Sequence, residues 1–439
     1  MMRCFLSCSL VVAAASGCGH GGFTPPGVAD VVQDVADLGM LAWGWRHELI
    51  ARTDQSYAGW DVELADLDAD GRPEILTGSA PDSRVYVHRR STDGWASHVL
   101  ADNLAGARPG MVLGLHVTDL DGDGRPELLA GTGQEDHSVA KLVVMHTDGS
   151  RVTASATTRA PMNTSSYTHG LATSDVDGDG RQEIISAYCP NGEVIRYDVD
   201  ATTVPARSRK VLQLGGSGED AWLRDVDGDA DLELVISNGY RDERGRVEIY
   251  DLDPATGDPL PKPRIVLDSF DGRRMFYGSV AVGDIDGDGR PELIVGWKAA
   301  QDVNRASIVA YRIRGADAQV AYVLARDDAG FDLSFFEKMI AIADLDVDGR
   351  NEIVFTTRGD GTSEGIDSSE LGHVYVYRVL STGEVRRDLV LDFDPRFVSS
   401  SWPAIGDVDG DGRPDLVLAT GKGDRRENGA SWVLRLWRE

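Results

Sequence analysis

Seven copies of one acidic segment limit the architectures open to this chain. The first reads Asp66-Leu-Asp68-Ala-Asp70-Gly71-Arg-Pro-Glu74, with carboxylates at positions 1, 3, 5 and 9. Asp119, Asp121, Asp123, Gly124 and Glu127 repeat it, as do Asp175, Asp177, Asp179, Gly180 and Glu183. The fourth copy, Asp225, Asp227, Asp229, Ala230 and Glu233, replaces the glycine. Asp284, Asp286, Asp288, Gly289 and Glu292 follow, then Asp344, Asp346, Asp348, Gly349 and Glu352, and last Asp407, Asp409, Asp411, Gly412 and Asp415. First aspartates stand 50 to 63 residues apart, the span of one supersecondary unit. A chain of 439 residues, long enough for two or three ordinary domains, thus reads as one repeat array.

The spacing suits a hard cation. Calcium prefers six to eight oxygens, and carboxylates at positions 1, 3 and 5 converge only if the backbone curls tightly, which glycine at position 6 permits. Position 7 would add a backbone carbonyl and position 9 a further carboxylate. The helix-flanked calcium loop that opens in the same way needs a glutamate at position 12. Here position 12 is Thr77, Ala130, Ser186, Ile236, Val295, Phe355 or Leu418, so that reading fails. The flanks alternate as strands do: Ser279-Val280-Ala281-Val282-Gly283 precedes the fifth loop and Leu293-Ile294-Val295 follows it, placing each loop in a β-hairpin.

The stretch from Phe276 through Asp284 and Glu292 to Gly296 resembles the FG-GAP or VCBS-type repeat of integrin α-subunit propellers and of many bacterial exported proteins. The resemblance extends over about residues 44–439. It implies an all-β, seven-bladed β-propeller of four-stranded blades, with the loop joining the first and second strands of each blade. It also implies up to seven Ca2+, one per blade, held by the carboxylates at positions 1, 3, 5 and 9. Ala230 would be forced towards a left-handed backbone at a cost of about 1 kcal/mol, which marks the fourth loop as the weakest binder.

The seventh repeat lacks an outer strand before the chain ends at Glu439. Trp45 to Asp54 has the pattern of an outer strand and is expected to complete that blade, closing the ring and removing an exposed edge.

Residues 1–18 carry a basic start at Arg3 and a short apolar run from Phe5 to Ala15, as an export signal does. Ala15-Ser16-Gly17-Cys18 resembles the bacterial lipoprotein signal, with Cys18 the site of lipidation. Residues 19–43 read as a tether and 44–439 as the propeller. Localisation at the outer membrane or cell surface, or secretion, is expected. Loss of Cys4 and Cys8 with the signal leaves Cys189 without a disulfide partner, so metal is expected to brace the fold. A formal charge of −28 disfavours nucleic acid and anionic membranes as partners, leaving membrane contact to the lipid anchor. Four carboxylates in each loop supply 28 of the 72 acidic residues, and gathering them without metal is unfavourable.

Recognition is expected on the face opposite the loops, where the turns between second and third strands are long and polar. Aromatic and ionisable candidates there are Trp60, Asp61, Tyr167, His169, Glu219, Asp220, Phe276, Tyr277, Trp297, Lys338 and Trp402. Arg358-Gly359-Asp360 matches an adhesive tripeptide and weighs little. Nothing resembles a nucleophile elbow, a phosphate loop or a His-rich zinc site, so a non-enzymatic binding, adhesion or scaffold module for a protein or glycan ligand is the leading expectation. The alternative is a polysaccharide lyase or other sugar-active enzyme, with Tyr167 and His169 as base and acid.

Overall fold

A computed structural model of the chain describes residues 39–41, 44–53, 58–79, 82–106, 110–133, 141–159, 167–189, 191–199, 207–238, 245–299, 302–329, 339–357, 373–393, 397–400, 403–422 and 431–438. Seven antiparallel sheets follow one another along the chain. Blade 1 pairs Ala58–Ala65, Glu74–Ser79, Val85–Ser91 and Gly94–Ala101 in that order. Blade 2 starts at Met111–Thr118, blade 3 at Tyr167–Ser174, blade 4 at Gly218–Arg224 and blade 5 at Arg273–Gly283. The first strand of blade 6 is Ile340–Ala343, and in blade 7 that strand is split into Phe397–Ser400 and Ala404–Gly406.

Every acidic loop closes the hairpin between first and second strands. The residue before position 1 pairs with position 9 in each case: Ala65 with Glu74, Thr118 with Glu127, Ser174 with Glu183 and Arg224 with Glu233. Gly283 with Glu292, Ala343 with Glu352 and Gly406 with Asp415 complete the set.

Each second strand has neighbours on both faces and is buried wherever its side chains are described, as in Glu74–Ser79, Glu127–Gly133 and Glu233–Asn238. This explains why these strands are nearly continuous apolar runs, whereas outer strands such as Arg207–Gln213 are mostly exposed. The core is divided among seven clusters, one in each seam between blades. Leu76 and Val87 of blade 1 meet Val112 and Leu128 of blade 2, for example. The clusters run around the ring without a break. The cluster between blades 7 and 1 joins Ile50, Val417 and Val433 to Val62, Ile75 and Tyr86. Close approach across a seam excludes side chains at some positions: a Cβ on Gly170 would lie 2.7 Å from the backbone N of Ala221.

Closure follows the expected route. Trp45–Thr53 pairs antiparallel with Ser431–Arg438, from Trp45 opposite Arg438 to Thr53 opposite Ser431, and supplies the fourth strand of blade 7. One addition was not expected. Gly39–Leu41, in the stretch read as tether, pairs with Val385–Phe393 on the outside of blade 6.

Candidate functional site

Within each loop the position-1 aspartate organises the curl. In loop 2, Asp119 Oδ1 accepts the backbone N–H groups of Gly122 and Asp123 at 2.8 and 3.1 Å, and its Oδ2 accepts that of Gly124 at 2.9 Å. The turn forces positive φ at position 6, 82 to 88° at the six glycines and 76° at Ala230, as expected for that alanine. Position 4 also adopts positive φ, and there the sequence reading missed two strained residues: Ala69 and Val347, both at 58°. Val347 is β-branched and 58% exposed, so burial offers little to offset the strain.

The carboxylates converge. Asp66, Asp68 and Asp70 bring ligand atoms within 4.8 Å of one another, as do Asp175, Asp177 and Asp179, and Asp225, Asp227 and Asp229. Asp119 and Asp121 do so with Glu127, and Asp284 and Asp286 with Glu292. All-oxygen donor sets of this size can hold a hard metal ion.

Position 9 has a second duty. Its carboxylate is buried in every loop and accepts the backbone N–H of position 2: Leu67 to Glu74 at 2.8 Å, Leu120 to Glu127 at 2.9 Å, Val226 to Glu233 at 3.0 Å and Leu345 to Glu352 at 2.8 Å. Loops 3, 5 and 7 repeat the bond. A basic side chain from farther along the blade meets the same carboxylate. Arg89 reaches Glu74 and Asp68, both at 3.5 Å. Arg196 reaches Asp177 at 2.6 Å and Glu183 at 3.6 Å, and Arg264 reaches Asp227 at 3.1 Å and Glu233 at 3.2 Å. Arg312 reaches Asp286 at 2.6 Å and Glu292 at 2.9 Å, and Arg378 reaches Asp346 at 3.3 Å and Glu352 at 3.1 Å. Arg435 bridges Asp409 and Asp415. In blade 2 the partner is His146, 3.1 Å from Glu127. Burial pushes Glu74, Glu183 and Glu233 up to about 7 and Asp415 up to about 6, against the pull of the backbone N–H and the guanidinium.

The second candidate region is the central channel, a cavity of about 630 Å³ lined by the first strands of all seven blades. Its wall is chemically lopsided. Blades 5 to 7 contribute Ala281, Val282, Ile340–Ala343, Pro403, Ala404 and Ile405, all apolar. Blades 1 to 4 contribute Glu63, His116, Thr118, Thr173, Gln182, Trp222 and Arg224. His116 lies between Glu63, at 3.9 Å from its Nδ1, and the Thr173 hydroxyl, at 2.9 Å from its Nε2. Thr118 donates to Gln182 at 2.8 Å. The Arg224 guanidinium stacks over the Trp222 ring, 5.6 Å from its centroid, and is exposed. A carboxylate, an imidazole, a hydroxyl and a guanidinium on one wall can hold a polar substrate and move a proton.

These channel groups sit at the loop end of the first strands, whereas recognition was expected at the other end. Several of the expected rim residues lie outside the described residues or side chains. Lys338, Trp402 and the Arg358-Gly359-Asp360 tripeptide belong to undescribed segments. Trp60, Tyr167, His169, Phe276 and Tyr277 are placed on strands with their side chains not described. Trp297 is corrected: it is 3% exposed and packs edge-on against Tyr311 in the seam between blades 4 and 5, so it presents no face to a ligand. Asp61, Glu219 and Asp220 are also buried. Asp61 accepts the backbone N–H of Leu115 across a seam, and Asp220 accepts the indole N–H of Trp222.

Comparison with known proteins supplies relatives. The chain is similar to integrin alpha pat-2 of Caenorhabditis briggsae, 26% identical over 212 residues, covering 41% of this chain and 17% of that one. It is similar to rhamnogalacturonan endolyase YesW of Bacillus subtilis, 27% identical over 260 residues, covering 47% of this chain and 41% of that one. It is also similar to rhamnogalacturonan exolyase YesX of the same organism, 25% identical over 248 residues, covering 45% and 40%. The chain thus spans less than half the length of the curated relatives it matches. A crystal structure of the exotype lyase superposes with a TM-score of 0.47 at 16% identity, covering 91% of this chain and 75% of that one. The two lyase sequence matches overturn the expectation of a non-enzymatic binding, adhesion or scaffold module, and with it the expectation that the chain is not an enzyme. FG-GAP-like repeats match residues 66–130, 119–186 and 225–295, and an FG-GAP repeat matches residues 401–434. Carried on a closed ring of seven blades, these repeats place the chain in the FG-GAP repeat family.

Proposed function

We propose that the chain is a sugar-active enzyme of the polysaccharide-lyase class, acting on an acidic, uronate-containing polysaccharide. The observation that carries this is the pair of sequence matches to two rhamnogalacturonan lyases, each spanning nearly half of the chain. The channel supplies groups suited to the chemistry. In such an elimination a base takes the proton beside the sugar's carboxyl carbon, the bond from the neighbouring ring carbon to the bridging oxygen breaks, and a double bond forms between the two carbons. His116, flanked by Glu63 and Thr173, is the described residue fitted to take the proton. Arg224 across the same wall is fitted to pair with the uronate carboxylate. Tyr167 and His169 remain the alternative base and acid from the sequence.

The loops are assigned to Ca2+, up to one per blade, which would neutralise the gathered aspartates and brace the hairpins. Seven divalent ions would halve the formal charge of −28, easing the approach of an anionic chain. Export and lipidation at Cys18 rest on the Ala15-Ser16-Gly17-Cys18 pattern, and the mass of the mature N-terminus tests them. Among the described residues no helix is long and apolar enough to cross a membrane.

The test of the activity is incubation with rhamnogalacturonan and other uronate polymers in calcium, following the ultraviolet absorbance of the unsaturated product. Product formation slowed by about 10²- to 10⁴-fold in His116→Gln is expected. Absence of unsaturated ends from every uronate polymer would remove the proposal.

A further inference from the structure

The loops contain a charge arrangement that the lyase reading does not use. A basic group is already present in the fold beside each of them: a guanidinium in blades 1 and 3 to 7, an imidazole in blade 2. Each guanidinium bridges positions 3 and 9 of its own loop. Arg196 and Arg435 do so almost wholly buried, at 1% and 3% exposure. Position 9 gives one oxygen to a backbone N–H and faces the basic group as well, while positions 1, 3 and 5 form the more exposed end of the loop.

We infer that these basic side chains are resident counter-cations: they hold the hairpin together when the loop has no metal, and they set how tightly each loop takes calcium. A fixed positive charge within a few ångströms of the site opposes a divalent ion and at the same time offsets the mutual repulsion of the carboxylates. The strength of this device varies around the ring. Loop 5 has a strong form of it, since Asp286 accepts from Arg312 at 2.6 Å and from the Tyr322 hydroxyl at 2.7 Å. Loop 2 has the least, because among the described contacts His146 meets position 9 alone, 3.1 Å from Glu127, where each guanidinium spans positions 3 and 9. Loop 2 should therefore bind calcium more tightly than loop 5. The order set by these cations is independent of the glycine lost at Ala230.

Two substitutions in the full-length protein test this, read by equilibrium dialysis of calcium and by thermal unfolding in a chelator. Arg312→Gln should tighten one bound calcium by about tenfold or more while lowering the unfolding temperature without metal. His146→Arg should do the reverse, weakening one calcium by a similar factor and raising the unfolding temperature in the chelator; it decides the matter if Arg312→Gln does not fold. Arg312→Lys, which keeps the charge, should leave calcium binding near that of the parent. Loss of a bound calcium in Arg312→Gln, or a His146→Arg protein with unchanged binding and unchanged chelator stability, would overturn the inference.

Discussion

The loop face and the channel wall are built from the same seven first strands, yet they differ in kind. On the loop face every blade presents the same parts: an aspartate that curls the turn, a buried position-9 carboxylate and a basic partner. On the channel wall the polar groups do not repeat from blade to blade. His116, Thr173 and Arg224 occupy three different blades and, among the described residues, have no counterparts on the apolar side formed by blades 5 to 7. What repeats serves the scaffold, and what occurs once is free to serve chemistry.

That contrast can be broken by substitutions that should move only one of the two properties. The largest effect belongs to the channel. His116→Gln should lower turnover of a uronate polymer by about 10²- to 10⁴-fold with little change in unfolding temperature. A comparable loss of stability would show that the channel wall is structural after all.

Removing the closing strand should come next. Trp45, Leu49, Ile50 and Ala51 are buried, and exposing them should cost about 5 kcal/mol or more, at roughly 1.5–3 kcal/mol for each large apolar side chain. Denaturant unfolding of a chain lacking residues 44–53 measures it, and an unchanged midpoint would mean that the ring closes by other contacts.

A third effect is a pH dependence confined to the metal-free protein. Glu74, Glu183 and Glu233 are pushed up to about 7, whereas in the unfolded chain they would titrate near the ordinary glutamate value of about 4.3. Between those limits the folded form binds more protons, so stability is full below the window and declines as the pH rises towards 7. In a chelator the denaturation midpoint should fall from pH 5 to pH 7.5, and calcium should abolish that fall. A midpoint that rises over the same range would contradict the burial of these groups.

The smallest effect concerns strain. Val347→Gly and Ala230→Gly should each stabilise the protein by up to about 1 kcal/mol, the relief of a left-handed backbone being partly offset by the freedom glycine gains when unfolded. Differential scanning calorimetry would register it.

Legibility in the sequence followed the same division. The loops, the blade count, the hairpin position and the closing strand could be read because each is local or repeated: alternation flanks every acidic segment, and Trp45 to Thr53 looks like the other outer strands. The basic partners could not be read by aligning the loops. The turn between second and third strands differs in length from blade to blade, so Arg89 lies 15 residues after its position-9 carboxylate and Arg378 lies 26 after its own. Only strand pairing reveals that both fall opposite position 9, next to the pairs His88–Ile75 and Tyr377–Ile353. The channel site was illegible for a different reason. Glu63, His116 and Thr173 are far apart in the chain and share no motif, and only ring geometry brings them to one wall. Trp297 misled because an aromatic near the start of a turn reads equally well as exposed or as seam packing.

The pairing of Trp45–Thr53 with Ser431–Arg438 also bears on how the molecule is made. Residues synthesised near the beginning must wait for residues nearly 400 positions later before their edge is satisfied, so blade 7 is assembled from the most distant contacts in the chain. Contacts of such separation form slowly, and the last seam to close is also the first from which the ring could unzip. The closing strand thus ties the two ends of the described chain into one sheet, so that freeing either end requires breaking the pairing of blade 7.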